Sequence, residues 1–123
     1  METPDHQCLK NLRILIVEDE VLISEVIYDI LSDAGAAIIG VARNVAEALE
    51  IIDRLSPNAA TLDGALDGIF SDPVAERLEE MNIRYLVVSG APTFGDMRLS
   101  AAPRLMKPFT AEALIAAVLL HLC

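Results

Sequence analysis

Three carboxylates, a hydroxyl and an ammonium group stand out against an apolar background: Glu18 and Asp19, Asp63, Ser89, and Lys107. Each closes a short apolar run. Ile14-Leu15-Ile16-Val17 leads into Glu18-Asp19-Glu20, residues 59–62 into Asp63, Tyr85-Leu86-Val87-Val88 into Ser89-Gly90, and Leu105-Met106 into Lys107-Pro108. Clustered carboxylates repel one another, and a hard divalent cation relieves that; Mg2+ suits because it prefers oxygen ligands and keeps some waters. Asp63 can act as a nucleophile on phosphorus, giving an aspartyl phosphate. Lys107 and the Ser89 hydroxyl can neutralise or hydrogen-bond the phosphoryl oxygens, and Gly90 leaves room for that group to enter. Taken singly, each signal has a blander reading: a capping Asp, a solvated Lys-Pro loop, a Ser-Gly turn, an acidic pair favouring a helix N-terminus. Joint placement at four strand ends is what argues for a site.

Such placement requires short strands alternating with helices. After the first run, Ile23, Val26, Ile27, Ile30, Leu31 and Ala34 recur at helical spacing, and Ser24, Glu25, Asp29, Ser32 and Asp33 take the other face until Gly35 stops the helix. Residues 37–42 predict a second strand. Asn44, with Glu47 three residues on, predicts a capped helix whose buried stripe is Val45, Ala48, Leu49, Ile52 and Leu55. The third apolar run, a helix around residues 74–81, the fourth run and Leu105-Met106 follow, and Thr110 caps a last helix. Between them, residues 90–96 hold two Gly and a Pro, so only 96–102 could form a fourth helix before Pro103. The pattern predicts one (βα)5 domain with right-handed crossovers and a parallel sheet over residues 11–123, behind a polar tail at 1–10. Ligands of such sheets bind beyond the carboxyl ends of the strands, the edge at which all five polar residues fall.

The chain has 123 residues, enough for one domain; 54% are hydrophobic but only 4% aromatic, which suits strands buried on both faces and alanine-rich helices. A net charge of −10 repels phosphate backbones, so direct nucleic-acid binding is not expected. Cys8 and Cys123 show no metal-binding or CxxC spacing; a disulfide framework is not indicated, and a reduced cytosol is the simplest setting. No signal peptide is visible, and the longest apolar candidate, residues 111–123, is too short to span a membrane.

In order and spacing, these motifs resemble the receiver family of bacterial two-component response regulators over residues 12–122. The matching pieces are Ile14-Leu15-Ile16-Val17-Glu18-Asp19-Glu20, Leu62-Asp63 with Leu66-Asp67-Gly68 after it, Val88-Ser89-Gly90, and Lys107-Pro108-Phe109. The resemblance implies a flavodoxin-like doubly wound sheet with strand order 2-1-3-4-5 and a short or disordered fourth helix. By position, Glu18 and Asp19 match the acidic pair, Asp63 the phosphoacceptor, Ser89 the switch hydroxyl and Lys107 the invariant lysine. Mg2+ would be held by Asp19 and Asp63, by Glu18 through water, and by the backbone carbonyl of Ala65. The implied donor is a sensor histidine kinase or phosphotransfer protein, with small acyl phosphates as substitutes. Ser71 to Leu78 and Ile83 to Gly90 look closer to single-domain receivers, common in alphaproteobacteria, whose fourth strand carries a Pro-Phe-x-Phe-Ala-Thr-Gly-type signature. Here Arg84-Tyr85 replaces Pro-Phe and Ser89 replaces Thr.

Two departures bear on output. Arg104 stands where receivers carry an inward-moving aromatic, and the interval from Ser89 to Lys107 is short. Switching is therefore expected through Ser89 and a mobile segment at 90–103. The sequence stops one helix after Lys107-Pro108, so no effector domain is expected; output would pass through another protein, or the domain would serve as a phosphate sink. The last helix is apolar nearly all round (Leu114, Ile115, Val118, Leu119, Leu120, Leu122), which means either deep burial or a partner surface, such as a homodimer through this helix and the fifth strand. Two rival functions remain: a phosphorylation-independent interaction module of the same fold, and a phosphohydrolase- or nuclease-like acid cluster using Glu18, Asp63 and Asp67. The second lacks a D-x-D pair.

Overall fold

The computed structural model describes residues 4–66, 69–90 and 102–123. The Asp67-Gly68 turn, the expected helix at 96–102 and most of the 90–103 switch segment lie outside the described residues.

Continuous apolar runs form the three inner strands because helices cover both of their faces. They are β1 (Arg13–Val17), β3 (Ala59–Leu62) and β6 (Arg84–Ser89), buried apart from the first residues of β1 and β6. With β2 (Ala37–Ala42) and β7 (Arg104–Met106) on the edges they make a five-stranded sheet in the order β2-β1-β3-β6-β7, every pairing parallel. This is the expected 2-1-3-4-5 order. Between β3 and β6 the chain adds an unforeseen antiparallel pair, β4 (Ala65–Leu66) with β5 (Ile69–Phe70), and Ser71 N donates to Gly64 O at 3.0 Å across its base.

Five helices are described: α1 (Pro4–Lys10), α2 (Val21–Asp33), α3 (Val45–Leu55), α4 (Asp72–Glu80) and α5 (Ala111–His121). Strand alternation sorts the core into two layers. Leu15 and Val17 of β1 face Ala48 and Ile52 of α3 and Leu78 of α4. Ile14 and Ile16 join Ile27 and Leu31 of α2 with Leu114 and Val118 of α5 on the opposite face. The edge strand shifts register between Ile14 and Leu15, whose partners are Ile38 and Gly40, leaving Ile39 without a partner in β1. Gly40 lets the α3 side chain of Ile51 pack closely there, since a Cβ would come within 3.2 Å of it. Gly35 follows α2 at φ 112°, a conformation that side chains resist.

Local capping follows the sequence closely. Asn44 Oδ1 accepts from Glu47 N at 2.9 Å, and the Glu47 carboxylate accepts from Arg43 N at 2.8 Å. Thr110 Oγ1 accepts from Ala113 N at 3.0 Å. The N-terminal expectation fails: residues 4–10 are a docked helix rather than a tail, with Leu9 fully buried beside Leu12 and Leu122. The cysteine expectation fails with it, because Cys8 and Cys123 form a disulfide. One buried Leu and a covalent tie outweigh the polar composition of the segment. In α5, Leu114 and Val118 are buried, as is Leu122 just beyond it, while Leu120 is 76% exposed, so this apolar helix buries one stripe and leaves leucine on the other side.

Candidate functional site

At the carboxyl edge of the sheet, β1 delivers Glu18 and Asp19, β3 delivers Asp63, β6 ends in Ser89 and β7 leads into Lys107. Backbone bonds fix these ends against each other: Asp63 N donates to Val17 O at 2.9 Å, Glu18 N to Ala42 O at 2.9 Å, and Lys107 N to Ser89 O at 3.0 Å. Glu18, Asp63 and Ser89 are buried polar residues in an otherwise apolar interior. Lys107 Nζ reaches into the group, 2.7 Å from Glu18 Oε1, 3.5 Å from Asp63 Oδ2 and 3.6 Å from Glu20 Oε1. The Lys107–Pro108 peptide bond is cis.

One ammonium does not balance this many carboxylates. Burial, the neighbouring Asp63 carboxylate and its charge push the Glu18 carboxyl up to about 8, with Lys107 and the Glu20 amide pulling the other way. Burial works to lower the Lys107 ammonium, but Glu18, Asp63 and Glu20 outweigh it and hold Lys107 above its ordinary value. Glu18 Oε2 accepts from Glu20 N at 3.1 Å, whereas Glu18 Oε1 is buried with only the ion-pair contact to Lys107 and no aligned hydrogen bond. Glu18, Asp19, Glu20 and Asp63 each offer a carboxylate oxygen within 4.8 Å of the others. A buried oxygen short of hydrogen bonds, among hard donors so closely set, fits a small divalent cation such as Mg2+.

Of the residues singled out by sequence, Glu18, Asp19, Asp63 and Lys107 come together here, and Ser89 lies at the end of the adjoining strand. Ala65 opens β4, and its amide donates to Asp63 Oδ1 at 3.2 Å. Arg104 opens β7 opposite Val87, half-buried. Glu20 was quoted in the motif but given no role; its place in the carboxylate group is the addition the structure makes. The replaced signature residues make contacts of their own. Tyr85 donates its hydroxyl to Glu79 Oε2 at 2.5 Å, and Arg84 Nη1 donates to Cys123 O at 2.7 Å.

The sequence model of the response regulator receiver domain matches residues 14–119. The chain belongs to that family. This receiver is similar to SdrG from Sphingomonas melonis Fr1, with 36% identity, a TM-score of 0.79, and 90% of this chain and 98% of that one covered. PhyR from Brucella abortus aligns with TM-score 0.78 and 27% identity over 93% of this receiver and 50% of that chain. Among curated proteins, protein-glutamate methylesterase/protein-glutamine glutaminase 5 of Myxococcus xanthus is 33% identical over 73% of this chain. The receiver spans only 27% of that protein's length, and 23% of a similarly named protein of Halobacterium salinarum. Receivers are signalling switches of two-component systems and bind Mg2+ at an acidic cluster such as the one described here. No described helix is long and apolar enough to cross a membrane.

Proposed function

We propose that this receiver accepts a phosphoryl group on Asp63 from a sensor histidine kinase or phosphotransfer protein and signals through contact with another protein. The observation that carries the reading is the Lys107 ammonium set between buried Glu18 and Asp63, 2.7 and 3.5 Å away, at the sheet's carboxyl edge. A bound Mg2+ would neutralise the carboxylates and the phosphoryl oxygens; Asp19 and Asp63 would hold it directly, Glu18 through water, and Ala65 by its backbone carbonyl. The Asp63 carboxylate attacks phosphorus in line with the leaving imidazole nitrogen, so a P–O bond forms as the P–N bond breaks. Lys107 then exchanges its contact with Asp63 for a phosphoryl oxygen, and the Ser89 hydroxyl donates to another. Output would then pass through a separate protein, or the domain would serve as a phosphate sink. The cytoplasm is the compartment in which such a donor would meet it. Exposed Leu120 and Met106 support self-association through α5 and β7, which sedimentation with and without beryllofluoride tests.

Incubation with acetyl phosphate and Mg2+ should add one phosphoryl group by intact mass, and Asp63→Asn should add none. Labelling of Asp63→Asn at the wild-type level would overturn the assignment. A chain that never labels although it folds and binds Mg2+ would point to the phosphorylation-independent module.

A further inference from the structure

The Cys8–Cys123 bond lies far from the carboxylates, at the amino edge of the sheet. It joins α1 to the residues just beyond α5, with Cα atoms 6.0 Å apart across 115 positions of sequence. On one side of the bond Leu9 is fully buried with Leu12, Leu114, Val118 and Leu122. On the other, the Cys123 carbonyl accepts from Arg84, the first residue of β6. Helix α1 has seven residues, too few to stay helical alone. Among the described side chains of α1, Leu9 is the one fully buried, and the disulfide adds a covalent tie. Both cysteines are half-buried rather than enclosed in the core.

We propose that Cys8 and Cys123 are a reversible redox-modification site, closed by small-molecule disulfides and opened by dithiols, that fastens or frees α1. In closure one cysteine thiolate attacks the reagent disulfide, displacing one thiol and forming a mixed disulfide. The second cysteine, as thiolate, displaces the other reagent thiol. The two protein thiols are oxidised, the reagent is reduced to two thiols, and the two protons released pass to them. Opening by a dithiol is the reverse exchange. The geometry favours a switch over a purely structural staple because the core layer of Leu15, Val17, Ile52, Leu62, Leu78 and Val87 contains no residue of α1, so the sheet should persist on reduction. Freed, α1 would uncover the apolar ends of β1 and α5 that Leu9 now seals, a surface separate from Asp63.

The test compares the full chain after excess oxidised glutathione and after dithiothreitol. Alkylation with N-ethylmaleimide followed by intact mass, melting curves and amide exchange are the readouts. The reduced chain should take two alkyl groups and the oxidised chain none, both as monomers. The oxidised chain should melt higher by at least about 5 °C. Reduction should cut amide protection in residues 7–12 and 120–123 by tenfold or more beyond the fall at 59–62 and 85–88, which follows global stability alone. Cys8→Ser should behave like reduced wild type under both conditions, which separates loss of the bond from a packing defect. Two alkylations after oxidation, disulfide-linked dimers, or equal melting and exchange in the two states would each overturn the proposal.

Discussion

The two edges of the sheet are built on opposite principles. At the amino edge polar groups are matched: Arg13 donates to the carbonyls of Ser56 and Leu55 at 2.8 and 2.7 Å, completing the end of α3. Asn58 bridges from Arg13 N, at 2.7 Å, to Asn11 O, at 2.9 Å, and a disulfide and the Arg84–Cys123 bond complete the seam. At the carboxyl edge four carboxylates gather, three of them around the Lys107 ammonium, with a Glu18 oxygen buried and short of hydrogen bonds. One edge holds the fold together while the other carries mismatched charge suited to a cation and a phosphoryl group. Function sits where local rules are broken, and stability is recovered elsewhere.

The sharpest way to break the comparison is Leu9→Ala. Removing a fully buried leucine from the amino edge should cost about 2–4 kcal/mol by chemical denaturation while leaving Mg2+ affinity unchanged. An altered affinity would mean that the edges are not independent. Lys107→Ala should come next, at about 2 kcal/mol in the absence of divalent cations, because Glu18 and Asp63 lose the cation set between them. Much of that loss should be recovered in saturating Mg2+, since a bound cation replaces the missing charge. For the wild type, Mg2+ at ten times its dissociation constant should add about 1.4 kcal/mol by mass action. Asp19→Ala should lose most of that gain, and a melting temperature that responds equally in both would argue against the cation reading. Arg77→Ala sets the floor. Its ion pair with Asp53 at 2.8 Å joins α4 to α3 between side chains that are 40% and 55% exposed, and its removal should barely move the denaturation midpoint.

The sheet and the carboxyl-edge residues were legible because the strands are mostly apolar runs and each functional residue is the polar group at or just after the end of one. Ile14 to Val17 followed by Glu18-Asp19 is the plainest case. The Asn44 and Thr110 caps were legible because a cap is decided within three residues. What escaped depended on contacts remote in sequence or on elements too short to have a period. The pairing of Cys8 with Cys123 is a fact of tertiary structure, and among the described side chains of α1 Leu9 is the one fully buried. The pair β4–β5 has two residues in each strand, below the length at which alternation can be seen. Glu20 was visible, but with its side chain 64% exposed only the three-dimensional grouping distinguishes it from an ordinary surface acid. In α5, leucines on every side hid the buried stripe of Leu114, Val118 and Leu122 until the fold selected it.

Joining position 8 to position 123 also makes the backbone between them a closed loop. A single cut by a protease anywhere inside it leaves both fragments on one covalent molecule, of unchanged mass apart from one water, until the sulfurs are reduced. A machine that unfolds proteins by drawing one strand through a narrow pore meets two strands once it reaches Cys8 or Cys123. With the bond intact, the chain therefore resists threading for a topological reason, whatever the strength of its core.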